Sequence, residues 1–201
     1  FGGSITINND FTISSGTAAI GAFTTLVGGT TSITGILSIT STTGTKTYNN
    51  VIINSGGTWT SSVGETNTIN GNLTMSGVTI TGTGTGIYNV AGTFSITVGT
   101  NNTIGVGTLA ITGTTTVDGT LNITSVTGTK TFGDVTINTT GTWNSSVAEA
   151  FTINGNIQND GILTSNTGIY TLAGATKTLS GINPVTISNA TVSGSYTNNG
   201  T

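Results

Sequence analysis

Charge is the scarcest property of this chain. Only 4% of its 201 residues are Asp, Glu, Lys or Arg, where globular domains carry about 25%. The three cations are the lysines Lys46, Lys130 and Lys177; arginine and histidine are absent, and six acids leave a net charge of −3. Binding along a nucleic acid requires several phosphates to be neutralised at once, so that class of function is excluded. The same deficit removes polybasic attachment to anionic lipid. There is no cysteine, hence no disulfide and no thiolate metal site. No apolar run reaches the roughly 18 residues of a membrane-spanning helix. The strands of roughly ten residues and the aromatic girdles of an outer-membrane barrel are missing as well. Proline occurs once, and low charge with scarce proline is not the composition of a disordered chain.

Catalysis is short of parts. Without histidine and cysteine, two of the commonest general bases and nucleophiles are gone. The acids Asp10, Glu65, Asp118, Asp134, Glu149 and Asp160 are scattered singly. They form no paired-carboxylate motif of the glycosidase kind and no Ca²⁺-binding repeat of the Gly-Gly-x-Gly-x-Asp type. We expect no enzyme, no cofactor and no metal, and assign no catalytic residue.

What the chain does have is threonine, β-branched aliphatics and 32 glycines, a composition suited to pleated, half-buried strands and turns. Short segments alternate apolar residues with Thr, Ser or Asn: Ser4–Asn8, Phe11–Ile13, Leu73–Met75, Val78–Ile80, Phe94–Ile96, Leu109–Ile111, Leu121–Ile123 and Val185–Ile187. Each is a strand with one buried face. Such short strands do not make a free-standing sandwich but are normal in a solenoid. Corner asparagines (Asn70, Asn72, Asn154, Asn156) are expected to take the left-handed conformation alongside glycine.

The chain also repeats itself. Leu37-Ser-Ile-Thr-Ser-Thr-Thr-Gly-Thr-Lys-Thr-Tyr48 returns as Leu121-Asn-Ile-Thr-Ser-Val-Thr-Gly-Thr-Lys-Thr-Phe132, a spacing of 84 residues. Trp59 and Trp143, Glu65 and Glu149, and Thr68–Asn72 and Thr152–Asn156 share that spacing. Thr85-Gly-Ile-Tyr88 returns two residues early, at Thr167–Tyr170. Repetition of this kind signals stacked units. The expected fold is all-β, a β-solenoid (β-helix) of short strands with roughly 18–22 residues per coil and about four coils per module. We read 1–201 as one continuous solenoid segment, with modules 1–36 (partial), 37–120 and 121–201 (shortened and continuing). The chain opens on no signal-peptide pattern, and we read it as mature or excised material.

Four candidate features follow. Lys46 and Glu65 stand 19 residues apart, as do Lys130 and Glu149, so each pair is expected on neighbouring coils as a surface ion pair worth about 0–1 kcal/mol. Trp59 and Trp143 either stack on sugar rings or fill a coil. Thr-x-Thr pairs (Thr45–Thr47, Thr58–Thr60, Thr66–Thr68, Thr79–Thr81, Thr129–Thr131) suggest the ordered ladder of an ice-binding solenoid. Such a ladder needs the motif at one constant place in every coil, yet Thr58-Trp-Thr60 becomes Thr142-Trp-Asn144 and Thr79-Ile-Thr81 has no counterpart in the second module. Asn-x-Ser/Thr sequons occur at Asn72, Asn101, Asn122, Asn138, Asn144, Asn189 and Asn199, as expected in so Asn- and Thr-rich a chain.

The run Thr127-Gly-Thr-Lys-Thr-Phe-Gly-Asp-Val-Thr-Ile-Asn138, with Gly141-Thr-Trp143, Phe151-Thr-Ile-Asn-Gly-Asn-Ile157 and Gly168-Ile-Tyr170, resembles the β-strand-repeat modules of very large bacterial surface proteins. More loosely, the Asn-Gly-Asn-Leu/Ile cadence is similar to that of filamentous-haemagglutinin-like adhesins. The resemblance implies a secreted β-solenoid stalk, fibre or adhesin at the cell surface, without catalytic residues. The expected function is therefore an extracellular structural fibre segment whose partner is itself, end to end or laterally, or the continuation of the same chain. The alternatives are a solenoid that binds surface glycans and, behind it, an ice-binding one.

Overall fold

The computed structural model describes residues 3–77, 79–81, 86–105 and 107–200. Among these are 26 short strands and no helix, and every strand pairing is parallel. The chain winds as a β-solenoid of about nine turns with roughly 21 residues per coil.

The coils build three stacked faces. The first face stacks Thr66–Ile69, Ile87–Val90 and Thr108–Ile111, continuing to Lys130–Phe132, Phe151–Ile153, Ile169–Leu172 and Asn189–Val192. The second runs through Leu73–Met75, Phe94–Ile96, Thr115–Val117 and Val135–Ile137. Two longer strands, Thr25–Ile33 and Lys46–Ile53, serve both faces in early coils. The third runs from Thr17–Ile20 through Ile36–Ile39, Thr58–Ser61, Thr79–Thr81, Asn101–Ile104, Thr120–Ile123 and Thr142–Ser145 to Ile162–Thr164.

The alternation of the sequence decides what lies inside. In Leu73-Thr-Met75, Phe94-Ser-Ile96 and Val135-Thr-Ile137 the outer two residues are buried and the middle one is partly exposed. Register then stacks like on like: Ile69, Val90 and Ile111 lie in one inward row, and Leu73 and Phe94 in another. Burying such a side chain is worth about 1.5–3 kcal/mol, and the core is continuous along the rod.

The 84-residue repeat closes after four coils on two faces. Lys46 passes through Asn67, Tyr88 and Leu109 to Lys130, and Val51 through Leu73, Phe94 and Thr115 to Val135. The third face has a two-residue register step where Ile80 pairs with Ile104. Four steps from Leu37 therefore reach Ile123 rather than Leu121.

Two local expectations are corrected. Among the described residues, Thr176 is the one non-glycine with positive φ, so the corner asparagines are not left-handed. The side chains of Asn72 and Asn156 work across coils instead. At the corner between the first and second faces, Asp10, Asn50, Asn72, Asp134 and Asn156 accept through Oδ1 from the backbone N–H of Thr30, Asn72, Thr93, Asn156 and Thr178, at 2.7–3.0 Å. Val185–Ile187 forms no strand. Pro184, which has no N–H to give a ladder, precedes it, and the Pro184 carbonyl accepts from Asn159 Nδ2 at 2.8 Å. Val78 and Thr85 lie outside the described residues.

The capped corner leaves no room for a side chain at Gly155, where an added Cβ would run into Asp134 and Gly133 of the previous coil. Gly21, by contrast, has only the Phe23 ring edge nearby, 3.8 Å away. Gly155→Ala is expected to lose about 1–3 kcal/mol in a urea unfolding titration, and Gly21→Ala to stay within about 0.5 kcal/mol of the parent.

Candidate functional site

The first face carries an inward row that is not purely apolar: Thr25, Lys46, Asn67, Tyr88, Leu109, Lys130, Phe151 and Tyr170 follow one another coil by coil. Both lysines are fully buried. The ion pairs expected at the surface therefore lie inside the rod. Strand alternation is the reason: Tyr48 and Phe132 point inward, so the residues two positions earlier do too.

In the first polar station, Lys46 Nζ lies 3.9 Å from Glu65 Oε2. It donates to the carbonyls of Thr43 and Gly44 at 2.9 and 2.8 Å. Gly44, at φ 77°, turns that corner so that its carbonyl faces inward, a conformation glycine takes without strain. Burial pushes the Lys46 pKa down, and the Glu65 carboxylate pushes it back up. Around the pair stand Tyr48, Trp59 and Tyr88, with Trp59 edge-on to both tyrosines at centroid distances of 5.3 and 5.1 Å. Burial raises the pKa of both tyrosines, and Tyr88 and Glu65 add to the effect on Tyr48. The amide of Asn67, register partner of Lys46, is fully buried. Its Nδ2 makes two long bonds, 3.4 Å each, to the carbonyls of Glu65 and Ile87, while its Oδ1 has no hydrogen-bond partner.

The second station repeats the first with substitutions. Lys130 Nζ is 3.8 Å from Glu149 Oε1 and donates to Thr127 and Gly128 at 2.9 and 3.4 Å. Ser61 and Ser145 brace the glutamate loops alike, each donating to the carbonyl two residues on, of Val63 and Val147. Phe132 and Phe151 stand where the first station has Tyr48 and Asn67, and pack on Trp143 at 4.9 and 5.7 Å. Burial lowers the pKa of Lys130 and raises that of Glu149, each opposed by its partner's charge. Tyr170 is pushed up to about 12 by burial.

Trp59 and Trp143 are buried, so they fill coils and offer no ring to a sugar. Outside, most strands of the third face present two residues each. Thr58 and Thr60 pair in backbone register with Thr79 and Thr81, whose side chains lie outside the described residues. The Thr58 row continues through Thr103 to Asn122 and Asn144, and Asn101 of the flanking row joins those two asparagines in a series of amide bonds. Ile36 interrupts the row of Thr58, and Ile162 the row of Asn101, Thr120 and Thr142. The uniform threonine lattice of an ice-binding face is thus broken. Several sequon amides are already engaged: Asn72 accepts from Thr93 N, Asn138 donates to Asp118 and Asn189 to the Thr167 carbonyl. Among the described residues no cluster of His, Cys, Asp or Glu could hold a metal, and no helix is long and apolar enough to cross a membrane.

Asn67, Tyr48 and Tyr88 were not singled out from the sequence as part of a site. The signal was present in Thr66-Asn-Thr-Ile69: with Ile69 inward, Asn67 must be inward as well.

A buried ion pair with imperfect geometry is weak support for a fold. The double variant Lys130→Met/Glu149→Leu is expected to match the parent or exceed it by about 1–4 kcal/mol in urea titration, while Glu149→Leu alone, which strands a buried ammonium, loses about 3–5 kcal/mol. Because the folded Glu149 holds its proton to higher pH than the unfolded one, its contribution is complete below the ordinary carboxylate range and is lost as pH rises through the folded value. The double variant's advantage should accordingly widen with pH across that window. Comparison with family models, curated proteins and solved structures returns no match for this chain.

Proposed function

We propose that this chain is a structural spacer, a segment of an extracellular fibre or stalk on a bacterial surface that extends by coil-on-coil β-stacking and catalyses nothing. The observation that carries the reading is the unbroken parallel stack with a bonded corner: load along the axis is shared by backbone ladders on three faces and by the Asx side chains that tie one coil to the next. A repeat that closes after whole coils adds length without altering cross-section. The near absence of charge removes the usual guards against strand addition. Among the described residues, Ile5–Ile7, Phe11–Ile13 and Thr17–Ile20 are paired on one side only, and they surround an apolar mouth lined by Ile5, Ile7, Phe11, Ala18, Ile20 and Phe23. Such an edge suits another coil, whether of the same chain or of a second copy. The resemblance to β-strand-repeat surface proteins points the same way.

The glycan-binding alternative loses its tryptophans to the core, and any such contact would have to use the Asn101–Asn122–Asn144 face.

The spacer reading is tested on intact cells of the producing organism by immunogold labelling of an epitope distal to the repeat. Deleting one 84-residue module should bring the label closer to the envelope by about 19 Å, four coils at about 4.8 Å each. Label found only after permeabilisation, or unmoved by the deletion, would overturn the reading.

A further inference from the structure

We propose that the first polar station closes on itself covalently, with an amide bond between Lys46 Nζ and Asn67 Cγ that staples one coil to the next. The claim concerns the chemistry of this station and goes beyond the spacer role. Three observations carry it. Lys46 and Asn67 are register partners on adjacent parallel strands, both pointing inward and both fully buried. Register partners on adjacent strands lie about 4.8 Å apart, within the span of a lysine side chain. Glu65 touches both of them, its carboxylate beside the ammonium and its own carbonyl accepting from the amide. The surroundings (Tyr48, Trp59, Tyr88) are aromatic and buried, and they keep out the water that would solvate the amine and hold it charged.

The groups are also poised electronically. The Asn67 Oδ1 has no hydrogen-bond donor, nor does Glu65 Oε2 have one apart from the distant ammonium. A proton moved from Lys46 to Glu65 answers both deficits: it leaves a neutral amine as nucleophile and creates an acid that can donate to the amide carbonyl. Burial of Lys46, which favours the neutral amine, works in the same direction.

The step balances without any co-reactant. The Lys46 Nζ lone pair adds to Asn67 Cγ, forming the Nζ–Cγ bond and a tetrahedral centre. Glu65 passes the proton it received to Nδ2 and takes up one of the two on the attacking nitrogen, leaving the other as the N–H of the new amide. The Cγ–Nδ2 bond breaks and ammonia departs. The two long bonds of Nδ2 are lost with it, and Nζ, left with one N–H, keeps at most one of its bonds to the Thr43 and Gly44 carbonyls. One amine and one primary amide become one secondary amide and one ammonia, with no change of oxidation state.

The second station is an internal control. Lys130 and Glu149 are present in the same relation, but the register partner of Lys130 is Phe151, which has no carbonyl to attack. Of the chain's three lysines, Lys46 alone should be acylated.

The test needs no variant. The purified chain, shown by circular dichroism to be strand-rich, is incubated at neutral and mildly alkaline pH, denatured, weighed intact by mass spectrometry and digested with trypsin. The expected result is a mass lower than the sequence by one ammonia, cleavage after Lys130 and Lys177 but not after Lys46, and a branched peptide whose fragments join Lys46 to Asn67. Full sequence mass with complete cleavage after Lys46 would overturn the proposal, as would an ammonia loss that maps to a cyclic imide at Asn70–Gly71. Glu65→Gln, near-identical in volume, should leave Lys46 cleavable while retaining the strand signal; cross-linking to the parent's extent would overturn the proton-shuttling part assigned to Glu65.

Discussion

Parallel register is the constraint on which everything else in this rod depends. Each residue sits directly above its counterpart one coil away, about 4.8 Å distant, and inherits that counterpart's orientation. A side chain is therefore judged by the row it joins rather than by its local sequence. Apolar rows such as Ile69, Val90 and Ile111 satisfy this at no cost. A lysine that falls in an inward row has no such freedom: its ammonium must find partners within the lumen, because the strand cannot rotate to release it.

The two stations show how the chain meets that demand. A glycine corner, Thr43–Gly44 or Thr127–Gly128, turns carbonyls inward to receive the ammonium. A glutamate from the following coil supplies the countercharge. The arrangement is tolerable rather than favourable, since burial opposes the charged forms of Lys46, Lys130 and Glu149. The second station has moved toward hydrocarbon, with Phe132 and Phe151 where Tyr48 and Asn67 stand in the first. Polar residues in the lumen also pin the stacking order, because a coil shifted by one residue would carry its lysine to the outside and its threonines in.

Much of the fold could be read from the residues alone. The all-β class, the solenoid and a coil of roughly 18–22 residues, a range that contains the observed 21, all follow from alternation, glycine punctuation and the 84-residue spacing. The pairing of Lys46 with Glu65 was visible as a spacing, but its burial was not. A lone charge is ordinarily expected outside, although the position of Tyr48 two residues on places Lys46 within. The corner asparagines were misread for a different reason. Their conformational tolerance is a property of single residues, whereas the work of Asn72 and Asn156, capping the backbone of a neighbouring coil, depends on stacking that no single segment displays. Val185–Ile187 has the right alternation for a strand, yet Pro184 and the hydrogen bond from Asn159 carry the chain past the position where it would have paired. The third-face register step at Ile80 and Ile104 left no mark in the repeat at all.

The closure of the 84-residue unit after whole coils has a meaning at the level of the gene. Misaligned recombination between one copy and the next removes or inserts a whole unit. On the first and second faces such an exchange returns every strand to the same register, with Lys46 exchangeable for Lys130 and Val51 for Val135. The third-face step lies inside the unit and travels with it. Length in this architecture can thus change in a single mutational event that the fold does not register as damage.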